Sequence, residues 1–469
     1  TDNATYIYDA TKKLQNRTLA YNTGNESWKN FNTNLNVKHA FDSTGKEITV
    51  DMDYISYTYG AKELFHNTFY NAANVQIKSD ENLRSNLPST IKIFSGKLDI
   101  TYPFKGNIKL DAGIKRSYVE TDNNAQYDTL NTANVWDRDA YRSNHFLYKE
   151  TINAAYVNMT KQMNKKWSTQ LGLRLEHTLS NGRQLTTGTK FTNDYVEFFP
   201  TAYIGYTPND KNQFAISYGR RIERPDYSDL NPFYHFLDKY TYQVGNPELK
   251  PQFSNNIEVT HTYGGFLTTS LNYGKTDNII TEVFEQVDST NTTFITNKNI
   301  AQQDNISLSV SAGLPITKWW TTNIYVQGFR NVFKGVVNGG NLEVEGNSFI
   351  TTIQNQFSLK KGWMFELSGF YRTRTVEGAI VARPMGVVNI AVSKQVLKNK
   401  ATVRLNVRDF LHVQQFSGYS RYQNIDVDIQ NRWDNRVVNL SFTYRFSKGQ
   451  NYKYSLKKVV LKKNRGELN

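Results

Sequence analysis

The stretch that decides the fold is "WSTQLGLRLE", residues 167–176. Trp167, Leu171, Leu173 and Leu175 fall on one parity, and Gln170, Arg174 and Glu176 on the other. A period of two is the mark of a strand whose faces meet different surroundings. The polar face carries charges that a packed sandwich core does not accept unpaired, so one face is wet and the other apolar. The pattern recurs along the chain. In "FNTNLNVKHAF" (31–41) Phe31, Leu35, Val37 and Phe41 oppose Asn32, Asn34, Asn36 and Lys38. In "NIKLDAGIK" (107–115) Ile108, Leu110, Ala112 and Ile114 oppose Lys109, Asp111 and Lys115. "TVRLNVR" (402–408) and "VVNLSFTYRF" (437–446) repeat it.

The composition agrees. Hydrophobic residues are 38% of 469, yet 30 Tyr, 27 Phe and 7 Trp bring aromatics to 14%, too many for a disordered chain. With a mean hydropathy of −0.61, several dry cores are not affordable. No run of 18 apolar residues exists, so no helix of the required length crosses a membrane. The start, "TDNATYIYDATKK", carries no export signal, and the absence of cysteine excludes disulfides and thiolate metal sites. The net charge of +14 is spread along the chain, and no nucleic-acid-binding module accompanies it. No nucleic-acid partner is expected.

Connections alternate between two kinds. Tight turns fall near 42–47, 104–106, 163–166, 207–212, 264–265, 315–318, 360–362 and 396–400. Longer polar stretches, read as loops, occupy 61–89, 120–144, 179–193, 222–253, 278–302, 331–347 and 412–433. Such asymmetry belongs to transmembrane barrels. Phe41, Tyr102, Phe104, Trp167, Tyr206, Phe214, Phe266, Trp319, Trp320 and Trp363 sit beside the tight turns, as an interfacial girdle requires. Seventeen strands are counted from 28–41 to 435–446, with an eighteenth in "NATYIYDATKK". The expected fold is all-β: a transmembrane, antiparallel, up-and-down barrel. Lys109, Asp111, Arg174, Glu176, Glu258, Arg404 and Arg408 are expected to face its lumen.

One pair of motifs stands out: "RRIERPDYSDLNPF" (220–233) and "GNPELKP" (245–251). With "IFSGKLDITYPF" (93–104), "YKETINAAYVNM" (148–159), "VEFFPTAYIGY" (196–206) and "VRDFLHVQQFSGYS" (407–420), they resemble the C-terminal barrel region of TonB-dependent outer-membrane receptors, in the outer-membrane β-barrel family typical of Bacteroidetes. The resemblance implies a Gram-negative outer membrane, long loops outside, and short turns and C-terminus in the periplasm. It implies a barrel of 22 strands with a plug inside, of which residues 1–447 would be the part without plug and first strands. Residues 448–469 would be a basic periplasmic tail.

The implied function is import of a nutrient ligand, of unknown identity, through a barrel held in outer-membrane lipid. Energy coupling through the TonB system would need a plug upstream, and a surface lipoprotein is a further implied partner. The alternative is an unplugged barrel serving as pore, scaffold or surface-binding protein. Within the motif pair, Pro225, Pro232 and Pro247 fix backbone angles, and Gly245 and Asn246 supply turn chemistry, with Gly245 free to take a positive φ. Arg220, Arg221, Glu223 and Arg224 are expected to form one polar cluster at the strand mouth, which with Asn231 either holds the loop shut or touches ligand.

Catalytic chemistry is not visible. The seven histidines (39, 66, 145, 177, 235, 261 and 412) are scattered without metal-ligand spacing. No nucleophile elbow or phosphate loop occurs. The chain is not expected to be an enzyme or to hold a cofactor or metal.

Overall fold

The computed structural model describes residues 2–446, except 10, 233, 237–240, 288, 291, 338, 339 and 424. The tail expected at 448–469 lies outside the described residues. Eighteen strands run as one antiparallel meander, each paired with the next. They are β1 (Asp2–Tyr8), β2 (Leu14–Ala40), β3 (Glu47–Asn71), β4 (Gln76–Phe104), β5 (Ile108–Leu130) and β6 (Asn144–Gln162). Next come β7 (Trp167–Gln184), β8 (Lys190–Asn209), β9 (Asn212–Glu223), β10 (Gln252–Tyr263), β11 (Leu267–Val287) and β12 (Thr292–Pro315). The last six are β13 (Trp320–Val337), β14 (Gly340–Ser358), β15 (Trp363–Arg372), β16 (Met385–Val396), β17 (Ala401–Arg408) and β18 (Val437–Tyr444). The eighteenth strand is the one read in the first residues. Among the described residues no pairing joins β1 to β18.

Register explains how alternation becomes a surface. Val37 pairs with Val50, Val50 with Leu98, Leu98 with Ile114, Ile114 with Ala155, Ala155 with Leu175, and Leu175 with Phe198. One apolar row thus crosses seven strands. Its residues stay open to the surroundings: Val37 is 52% exposed, Ile114 60% and Phe198 55%. Large apolar side chains exposed in continuous rows need a nonaqueous neighbour. The alternate row holds Asp51, Lys97, Lys115, Ala154, Glu176 and Glu197. Two rows toward the long connections the apolar face ends in polar groups, where Arg116 pairs with Asn153 and Asn153 with His177.

Rings mark the other limit of the apolar band. Trp167 stacks on Tyr206 at 4.3 Å, Tyr206 reaches Phe214 at 6.4 Å, and Phe214 stacks on His261 at 4.4 Å. Trp320, Phe357 and Phe365 continue such a chain at 5.7 and 5.6 Å. The turn joining β10 to β11 uses Gly264 and Gly265 at φ +60 and +73, where a side chain would be strained.

The long connections differ from expectation. Most are not loops. β2, β3 and β4 run 27, 25 and 29 residues, more than twice the ~9–11 that a tilted strand needs to cross hydrocarbon. The stretches 61–89, 120–144, 179–193, 278–302 and 331–347 largely continue the ladder. Past the band both faces carry polar residues, so the period-two signal fades while the hydrogen bonding persists.

Beyond the band a second sheet of four strands forms from Thr375–Glu377, Ile380–Ala382, Gln415–Tyr422 and Ile425–Arg432. It covers a dry cluster of Ile279, Val283, Ile300, Phe333, Leu342, Val376, Ala379 and Val381. The Tyr422 hydroxyl ties it to β11, accepting from the Phe284 amide at 2.9 Å and donating to the Phe284 carbonyl at 2.5 Å.

Candidate ligand cavity on the polar face

The motif pair between β9 and β10 folds back onto the polar face of the sheet. Arg224 is its anchor: Nη2 donates to Glu176 Oε2 at 2.7 Å and to Thr178 Oγ1 at 2.8 Å. Pro225 follows, and a single helical turn, Tyr227–Leu230, comes next. Leu230 and Leu249 are each 2% exposed and pack with Phe146 and Tyr148 of β6. The Tyr227 ring lies 5.0 Å from that of Tyr148.

The two motifs hold each other. A Cβ on Gly245 would lie 2.0 Å from the Asn231 carbonyl oxygen and 2.8 Å from that of Asp229. The Asn246 amide donates to the Asp229 carbonyl at 2.5 Å. Glycine is therefore required by close backbone approach. The positive φ expected for it is not found, because Gly245 is not among the glycines with that geometry. Asn246 also donates from Nδ2 to the Asn297 carbonyl at 3.1 Å and accepts from the Glu248 amide at 2.9 Å, across Pro247. Asn144 donates to Asn231 Oδ1 at 3.3 Å, and Pro232 beside it is half-buried.

Arg220, Arg221, Glu223 and Arg224 do not gather into one cluster. Arg220 donates to Glu197 at 2.8 Å and to the Phe198 carbonyl at 2.7 Å, with its guanidinium 4.5 Å from the Phe253 ring. Glu223 accepts from Gln252 at 2.7 Å. Arg221 lines a separate recess with Gln170, Tyr203 and Glu258. Alternating parity along β9 sends successive side chains to opposite faces, so neighbours in sequence find different partners.

The residues expected on the polar face pair largely among themselves. Lys109 bridges Asp111 at 2.9 Å, Arg174 bridges Glu176 at 2.5 Å, and Arg404 grips Glu366 through two contacts of 2.7 Å. Glu258 accepts from Thr260 at 3.2 Å. Arg408 shares the parity of Arg404, opposite to exposed Leu405.

Between the folded-back segment and β3, β4 and β5 lies a cavity of about 640 Å³, within the range that suits a small ligand. The segment contributes Asp226, Tyr227, Ser228, Asp229 and Asn231, and further along Gln243, Val244 and Gly245. The strands contribute Tyr59, Leu87, Pro88, Ser89, Ile91, Thr121, Asn123, Asn124 and Ala125, and Asn297 closes it. Burial pushes the Asp229 carboxyl above the usual carboxylate range, helped by Asp226. Burial likewise pushes the Tyr227 hydroxyl up to about 12. Sequence reading singled out Asn231 and Gly245 here and missed every strand residue, because polar side chains on a wet face carry no motif. Among the described residues no group of three His, Asp or Glu gathers as a metal site.

Comparison with known proteins places this geometry in a family. The model of the outer membrane protein beta-barrel family matches residues 39–444. No curated protein sequence matches the chain. Among solved structures, the ferric yersiniabactin uptake receptor FyuA from Yersinia pestis superposes with a TM-score of 0.55 at 12% identity, covering 95% of this chain and 74% of its own. The copper transporter OprC gives 0.55 at 11%, covering 94% and 76%. The ferric-catecholate import receptor Fiu from E. coli K12 gives 0.54 at 12%, covering 94% and 76%. At such identities the likeness is one of fold.

Proposed function

The chain belongs to the outer membrane protein beta-barrel family, and from that premise we propose that it is the barrel portion of a receptor importing a nutrient ligand across the outer membrane. The single observation that carries this reading is the cavity on the polar face, walled by the folded-back motif pair beyond the apolar band. A pore needs no such segment. A receptor needs a recess that holds a small molecule at the mouth of its path. In this reading the extended strand ends and the four-stranded sheet stand outside the cell, and the tight turns lie in the periplasm.

Residues 1–447 form the barrel part of a 22-stranded receptor whose plug and first strands lie upstream, and 448–469 extend into the periplasm. The plug gates the lumen and is coupled to the TonB system, and a surface lipoprotein caps the extended ends. Surface labelling tests the orientation. A cysteine replacing Asn74, in the hairpin after β3, should react with a membrane-impermeant maleimide on intact cells, while one replacing Lys165 should not. The reverse would invert the topology.

The intact mass and N-terminal sequence of the protein extracted from outer membranes test the function. A species well above 54.1 kDa with a plug-like domain upstream supports gated uptake. A 54.1 kDa species beginning at Thr1 and conducting ions in planar bilayers would replace uptake by an open pore.

A further inference from the structure

We propose that the rim formed by the tight turns is a collar of lysines that binds the phosphate headgroups of anionic phospholipid in the leaflet it meets. This goes beyond ligand uptake and does not depend on it. The two ends of the sheet differ in charge. The eight tight connections, from that between β2 and β3 to that between β16 and β17, carry ten lysines, no arginine and two acids. The connections at the far end carry eleven cations and eleven acids among their described residues. A chain of net charge +14 thus places much of its excess at one rim.

None of the ten forms a salt bridge with a described residue, although ion pairs are common on the polar face. Nine are exposed, and the tenth, Lys46, is half-buried. Asp42, one of the two acids, is taken up inside its own turn, where it accepts from the Thr44 amide at 2.8 Å and from the Thr44 hydroxyl at 2.5 Å. Lys361 and Lys398 stand at φ +60 and +54, where glycine or asparagine is easier to place. A cation sits there against the local backbone preference.

A second observation sets the collar at the edge of the lipid-covered band. Lys46 holds its ammonium 5.3 Å from the Phe41 ring and 4.9 Å from that of Tyr102. Lys394 lies 4.7 Å from the Trp363 ring and donates to the Lys361 carbonyl at 2.6 Å. Phe41 shares the parity of Val37, Tyr102 that of Leu98, and Trp363 that of Phe365, so all three rings face the lipid. Such rings mark the headgroup level, and lysine stems lie along them while the ammonium reaches water and phosphate. Attraction to an anionic surface fades within a Debye length, so lysines spread round a whole rim act together only on a partner that follows the rim. The leaflet does; a compact acidic protein would touch only part of it.

The test uses the tryptophans beside the collar, Trp167, Trp319, Trp320 and Trp363. Protein purified from outer membranes is reconstituted into phosphatidylcholine vesicles containing an equal part of brominated phosphatidylglycerol or, separately, of brominated phosphatidylcholine. Quenching by each brominated lipid gives its relative association. Phosphatidylglycerol is expected to be enriched roughly threefold or more at low salt, with the preference fading as salt is raised. In the sextuple variant Lys165→Gln, Lys166→Gln, Lys318→Gln, Lys360→Gln, Lys361→Gln, Lys398→Gln the preference is expected to vanish, with folding intact as read by heat-modifiable migration on a gel. Arginine at the same six positions should keep it, and the far-end double variant Lys12→Gln, Lys13→Gln should leave it unchanged. Equal association of the two lipids, a preference that survives in the sextuple variant, or one lost in the far-end variant would each overturn the assignment. Equal association together with binding of soluble polyglutamate, lost in the sextuple variant, would give the rim to an acidic protein instead.

Discussion

The two ends of β3 carry opposite hydrophobic faces. Near the tight turn the apolar residues are Ile48, Val50, Met52 and Tyr54, and Met52 is 55% exposed. Toward the far end they are Tyr59, Ala61, Phe65 and Phe69, on the other parity, and Ala61 and Phe69 are 1% and 3% exposed. The ladder continues without a change of register as far as Asn67, so the strand does not turn over; its surroundings do. In the band, lipid covers the apolar face. Beyond it water covers that face, and the buried face is the inner one, where protein folds back. β5 and β6 make the same exchange, with Ile114 and Val157 exposed below and Tyr127 and Phe146 buried above. Burial here is supplied by two different solvents along one strand.

Substitutions that treat the two ends alike break this comparison. The largest effect is expected in the dry cluster beneath the four-stranded sheet. Phe333→Ala should cost about 3–5 kcal/mol of local stability, seen as faster amide exchange in β13 and the four-stranded sheet, with membrane insertion unaffected. Next, Leu173→Arg places a charge in the exposed apolar row and should cost roughly 2–4 kcal/mol, read as loss of heat-modifiable folded protein. Arg174→Leu, one residue on and on the polar face, should be far milder, since Glu176 keeps Arg224. Equal effects at 173 and 174 would undo the facing assignment. Tyr422→Phe removes both bonds to Phe284 and should loosen the second sheet by about 1–3 kcal/mol, measured by exchange at Phe284.

The smallest expected effect is one of pH. Burial and the nearby Asp226 hold the Asp229 carboxyl above its usual range, and burial and Asp229 do the same to Glu282. A raised carboxyl means that the folded segment binds protons more tightly than the unfolded one. Docking of the segment should therefore strengthen as pH falls through those raised values and weaken as pH rises through them. Exchange at Leu230 and Leu249, corrected for intrinsic chemistry, should be slower at about pH 5 than at about pH 7.5. A reversed order would place a cation beside these acids.

The legibility of the sequence follows the same boundary. Within the band one face meets lipid and the other water, so "WSTQLGLRLE" could be read directly, and strand count, turns and girdle came with it. Beyond the band "AKELFHNTFYN" (61–71) mixes Phe65 and Phe69 with Glu63 and Asn67 on one face, because a locally covered wall needs both packing and hydrogen bonds. Such a stretch looks like a loop. The motif pair was visible through its prolines and glycine, but not its mode of folding: Gly245 answers to Asn231, fourteen residues away in sequence and in contact in space. Thr121 and Asn297 gave no sign, since their role depends on which segment folds over them.

The most direct test of the account is the surroundings of single spin labels, straightforward in a chain with no cysteine. Labels are placed through Leu173→Cys, Arg174→Cys and Val283→Cys in protein reconstituted into bilayers, and their collisions with oxygen and with a polar nickel chelate are compared. The account predicts preference for oxygen at 173, for the nickel chelate at 174, and low accessibility to both at 283, where Val283 is fully buried by protein. Equal accessibility at 173 and 174, or an oxygen preference at 283, would contradict it.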